Sequence, residues 1–162
     1  MMKKMLLVTL LAICAFSLWA DSSAGKVLFI YDEVNQQSSP YVERFREAFA
    51  AKGISFDEAT AVQVKSKDLS SYTRLVVYGM VMAFNMKSPV RDWLKTAPDL
   101  SGKRISLFVT ANRWFLQQLV GQLTDLLKKD KAEVVDAVSM ATKDLDVQEK
   151  SVAVDRLVKE LK

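Results

Sequence analysis

The chain has no histidine, one cysteine, five glycines and three prolines among its 162 residues. Without histidine, neither a histidine-ligated metal nor a nucleophile activated by imidazole can be assembled. A single cysteine forms no intramolecular disulfide. No G-x-S-x-G is present, so a hydrolase would lack its usual nucleophile elbow. An excess of one charge is also missing, with 23 basic against 19 acidic residues, which is too balanced a surface for nucleic-acid binding. The cluster Lys128, Lys129 and Lys131 is interrupted by Asp130 and reads as a solvated helix end.

What is present is half hydrophobic and 26% charged, the composition of a folded domain, and the length suits one domain with a core of its own. The first twenty residues, MMKKMLLVTLLAICAFSLWA, place Lys3 and Lys4 before an apolar run that ends in small residues near Ala20. This is the layout of a secretory signal peptide, and the run falls short of the roughly 20 residues that span a bilayer. We expect residues 1–20 to be the signal peptide and 21–162 the domain, with Ala24 as an alternative cleavage point. Such processing leaves no membrane span and implies an exported, periplasmic or secreted protein, with an uncleaved signal anchor as the alternative. Cys14 lies inside the leader, where bulky Ile13 argues against lipidation. Loss of Lys3 and Lys4 leaves 21 basic and 19 acidic residues, a charge of +2.

Along the rest of the chain, apolar runs alternate with helical stripes. VLFIY (27–31), Leu75–Tyr78 and Ile105–Val109 read as strands covered on both faces, Ile54–Phe56 starts a weaker strand, and Val134–Met140 is a last one whose Asp136 suggests an edge. Ser39-Pro40 and Ser88-Pro89 are cap-and-proline helix starts. Tyr41, Phe45, Ala48 and Phe49 form one stripe, and Gly53 ends that helix. Val90, Trp93 and Leu94 mark a second helix, Leu116, Leu119, Leu123 and Leu127 a third, and Val154, Leu157, Val158 and Leu161 a closing one. Strands alternating with helices require right-handed crossovers and a mainly parallel sheet. The long loop expected over Gly79–Lys87 and the loop Thr110–Arg113 both leave the carboxyl ends of strands, where open α/β sheets bind ligands.

The segment GMVMAFNMKSPVRDWL (79–94), the strand GKRISLFVT (102–110) and VLFIY near the start are similar to the flavodoxin-like family. The resemblance implies an α/β three-layer sandwich with a five-stranded parallel sheet of order 2-1-3-4-5. It also implies FMN across the carboxyl ends of strands one, three and four, and electron transfer with a quinone or a redox protein. By the same resemblance the cofactor-binding residues are Ser38, Ser39, Met82, Phe84, Asn85, Thr110, Asn112 and Trp114, and no catalytic residue is assigned.

Each of these has a plainer reading as well. Ser39 can be only an N-cap, Asn35, Gln36 and Gln37 a solvated loop, Asn85 and Asn112 turn residues, and Trp114 core. The phosphate loop of that family is rich in Ser and Thr around a glycine, whereas Asp32–Pro40 reads DEVNQQSSP with no glycine and with Asp32 and Glu33 placed to repel an anion. The chain is also slightly basic, whereas electron-carrying flavodoxins are strongly acidic, which makes quinone-reductase-like or protoporphyrinogen-oxidase-like chemistry an equal expectation. The alternative to a flavin enzyme or electron carrier is a cofactor-free flavodoxin-like accessory module of the cell envelope.

Overall fold

The computed structural model of the protein describes residues 25–81, 87–142 and 147–161. The signal peptide expected over residues 1–20 lies outside the described residues. The elements are β1 (Val27–Tyr31), α1 (Ser39–Ala51), β2 (Phe56–Thr60), β3 (Arg74–Val81), α2 (Pro89–Lys95), β4 (Arg104–Ala111), α3 (Arg113–Lys129), β5 (Glu133–Ala141) and α4 (Val147–Lys159). A short 3-10 turn, Gln63–Ser66, follows β2. The strands form one parallel sheet in the order β2-β1-β3-β4-β5, as expected.

The central strands are apolar at nearly every position because both faces are covered. Leu28, Ile30, Leu75, Val77, Leu107 and Val109 point to one side, against Trp93 and Leu94 of α2 and Leu119 and Leu123 of α3. Phe29, Tyr31, Val76, Tyr78 and Phe108 point to the other, against Phe45 and Phe49 of α1 and Val154, Leu157 and Val158 of α4. This second layer is aromatic, with Phe29 and Phe45 ring centroids 4.8 Å apart and Phe45 edge-on to Phe108 at 5.2 Å.

Several boundaries differ from the sequence reading. β2 runs from Phe56 to Thr60 rather than beginning at Ile54. Its acidic residues are matched from outside the strand, Asp57 by Lys26 at 2.7 Å and Glu58 by both prongs of Arg46 at 2.9 Å. β3 and β4 continue through Val81 and Ala111, because Met80 and Val81 pair with Thr110 and Ala111. Gly79 is therefore a strand residue, and it faces Leu123, which a Cβ at this position would meet at 2.7 Å. α1 begins at Ser39, so Ser38 and not Ser39 takes the cap position. β5 is an edge strand, as Asp136 suggests, and Val135 bulges out of register between the pairs Ile105–Val134 and Ser106–Asp136.

Candidate functional site

The chain leaves β1 in one direction to reach β2 and later crosses to β3 on its other side, so the carboxyl edge opens between β1 and β3. In a sheet of this topology that opening is where a ligand sits. Asp32, one residue beyond β1, lies at its centre and is only 4% exposed. Its two carboxylate oxygens accept from the backbone N–H of Met80 in β3 at 2.6 Å and of Val90 in α2 at 2.5 Å. The Ser88 hydroxyl approaches both oxygens at 3.4 Å while accepting from Arg91 N–H at 3.2 Å, so Ser88 caps α2 and reaches Asp32 at once. Burial pushes the Asp32 carboxyl up to about 6, against the opposing pull of the Val90 and Met80 N–H groups, Ser88 and Arg91. Asp32 thus ties β1 to the end of β3 and the start of α2. Both Asp32 oxygens are thereby engaged by N–H groups of β3 and α2.

The loop that follows is closed on itself through Asn35. Asn35 Oδ1 accepts from Gln37 N–H at 2.9 Å and Ser38 N–H at 3.0 Å, and Asn35 carbonyl accepts from Ser39 N–H at 2.8 Å. The buried Ser38 hydroxyl donates to Glu33 carbonyl at 2.5 Å and accepts from Asn35 N–H at 2.9 Å. Ser38 carbonyl then takes Tyr41 and Val42 N–H, both at 3.0 Å, as α1 begins. Asn35 therefore closes the turn that leads into α1, ahead of the cap position, where Ser38 makes no side-chain cap bond. The reading of Asn35 as merely solvated is overturned. Its signal in the sequence is an asparagine set shortly ahead of Ser-Ser-Pro.

On the far side of the opening, Thr110 is the seventh residue of β4 and not a loop residue. It is fully buried, and its hydroxyl pairs with Tyr78 Oη at 3.0 Å, so it faces the α1–α4 layer rather than a ligand. Burial holds the Tyr78 hydroxyl far above the usual tyrosine range. Asn112 stands at the cap position of α3 without a side-chain cap bond, and its Oδ1 accepts from Thr142 Oγ1 at 3.3 Å. Trp114, in the first turn of α3, is 69% exposed, with its ring 5.5 Å from that of Phe115. The core reading of Trp114 is thereby corrected. Met82, Phe84 and Asn85 lie outside the described residues.

Neither a protein-family model nor a curated protein matches the sequence. Among solved structures, the flavodoxin of Fusobacterium nucleatum bound to flavin mononucleotide superposes with a TM-score of 0.68 at 12% identity, covering 85% of this chain and 96% of that one. The flavodoxin of Streptococcus pneumonia TIGR4 gives 0.64 at 11% identity, covering 83% and 96%. The fold is flavodoxin-like. The chain also matches 36% of the rubredoxin oxygen:oxidoreductase of Desulfovibrio gigas, at a TM-score of 0.58 and 15% identity, over 84% of its own length.

Against this flavodoxin-like frame, the described residues bring together Asp32, Asn35 and Ser38 on one side of the opening and Asn112, Trp114 and Thr142 on the other. The second group offers an exposed indole and a side-chain amide. The first group does not fit a phosphate, since each of its described N–H donors from Gln37 to Val42 already has an acceptor.

Proposed function

We propose that this chain is an exported flavin-binding domain that passes electrons to or from a quinone or a redox protein. FMN is the flavin in one of the structures it superposes on. The observation that carries the reading is Trp114. A tryptophan held 69% exposed on the carboxyl edge has no packing reason to be there, and it has a good one if a planar ligand covers it. Asn112, beside it, supplies an amide for a ring nitrogen or carbonyl. A bound flavin supplies the redox centre, while the protein orients it and tunes its surroundings. The chain's own contribution is to hold the two sides of the opening fixed through Asp32, Met80 and Val90 and to exclude water with Trp114.

The test is a titration of the processed protein with FMN, following quenching of flavin fluorescence. Quenching is expected with half-saturation at about tens of micromolar or below, and Trp114→Ala should weaken it by about tenfold. Absence of quenching at tens of micromolar sinks the reading. It would favour a cofactor-free module of the cell envelope, the reading supported by the closure of the Asn35 loop.

A further inference from the structure

We propose that the site selects a flavin by its ring and takes little from the phosphate, so that riboflavin binds about as tightly as flavin mononucleotide. This rests on the flavin-binding reading and adds the ligand class. A helix amino terminus normally favours a phosphate because several backbone N–H groups point at it without acceptors. At the start of α1 those groups are occupied. Gln37 and Ser38 N–H are on Asn35 Oδ1, Ser39 N–H is on Asn35 carbonyl, Tyr41 and Val42 N–H are on Ser38 carbonyl, and Pro40 has none. The Ser38 hydroxyl is engaged as both donor and acceptor within the loop.

Asn35 Oδ1 thus holds two N–H donors that would otherwise be open to a phosphate. To reach them a phosphate must displace the amide and undo the turn it closes, and each charge-assisted bond not made forfeits about tenfold in affinity. The loop from Asp32 to Ser39 has no glycine that would let backbone approach the ligand closely, and Glu33 adds an exposed carboxylate. A nearby cation, Lys150, lies 5.6 Å from the centroid of the Tyr41 ring and is held over that aromatic face. Nothing in this arrangement penalises a flavin whose ribityl chain ends in a hydroxyl.

Parallel titrations of the processed protein with riboflavin and FMN decide the matter. The expected dissociation constants lie within about threefold of each other, and FMN binding about tenfold or more tighter than riboflavin overturns the inference while leaving the flavin reading intact. Binding of neither flavin overturns both. Asn35→Ala frees two N–H donors and should shift the ratio of the two affinities towards FMN by about fivefold or more. Asn35→Asp keeps the oxygen that closes the turn but adds a charge, so it should move the ratio towards riboflavin. An unchanged ratio in Asn35→Asp also overturns the inference.

Discussion

Burial decides the chemistry of Asp32, because its carboxyl is held at about 6 in the folded chain against 3.8 when exposed, with desolvation outweighing the N–H groups of Val90 and Met80. Below pH 4 the group is protonated in both folded and unfolded chains and carries no penalty. As pH rises through the window from 4 to 6 the unfolded chain releases its proton first, so the folded state loses stability, by about 3 kcal/mol in all. Asp32→Asn removes this titration and, like the protonated carboxyl, keeps one neutral acceptor. The variant should lie within about 1 kcal/mol of wild type at pH 4 and be about 2 kcal/mol more stable than wild type at pH 7, where the wild type carries the buried charge. Urea unfolding of both proteins at the two pH values measures this. A difference that stays constant with pH would mean that Asp32 does not titrate in that window. The sequence presents Asp32 only as an acid beside a loop, since its partners Met80 and Val90 are 48 and 58 positions away.

At the scale of elements, two helices end in the same way with different residues. After α1, Gly53 at φ +64 lets its own N–H reach Ala50 carbonyl at 3.1 Å and Ile54 N–H reach Phe49 carbonyl at 2.9 Å. After α3, Lys131 at φ 60 supports the same pair of bonds, Lys131 N–H to Lys128 carbonyl and Ala132 N–H to Leu127 carbonyl, both at 3.0 Å. A side chain in the left-handed region is strained, and the ion pair of Lys131 with Asp99 at 3.1 Å joins two exposed groups that contribute little. Lys131→Gly should therefore raise stability by about 0.5 to 1 kcal/mol, and Gly53→Ala should lower it by about 1 kcal/mol, both read by thermal or urea unfolding. Destabilisation by Lys131→Gly would mean that the Asp99 contact outweighs the strain. The Gly53 stop was legible in the sequence because glycine is the expected residue there, whereas Lys131 gave no such sign. The same contrast explains the strand ends. Leu75–Tyr78 and Ile105–Val109 stand out as apolar runs, but Gly79 and Thr110 carry loop-like chemistry and conceal two or three further residues of ladder. FDEAT in β2 is polar because it forms an edge, where neighbours such as Lys26 and Arg46 and not a second core layer cover it.

For the whole molecule, the parallel sheet gives the two ends different roles. The carboxyl edge holds Asp32, Asn35, Asn112 and Trp114, while the chain enters β1 from the opposite end, through Gly25 and Lys26. Among the described residues no helix is long and apolar enough to cross a membrane. The ion pair of Lys26 with Asp57 at 2.7 Å survives cleavage after either Ala20 or Ala24. Export with processing therefore predicts an envelope fraction whose intact mass lacks residues 1–20 or 1–24. The flavin affinity and unfolding midpoint of that species should equal those of a protein produced from residue 25 onward, because β1 begins at Val27 and the opening lies at the other end of the sheet. Recovery of the unprocessed mass from the cytoplasm would overturn the export proposal without touching the fold or the flavin site. Lower flavin affinity in the processed form than in the full chain would show that the amino-terminal segment reaches the carboxyl edge, contrary to the polarity of the sheet.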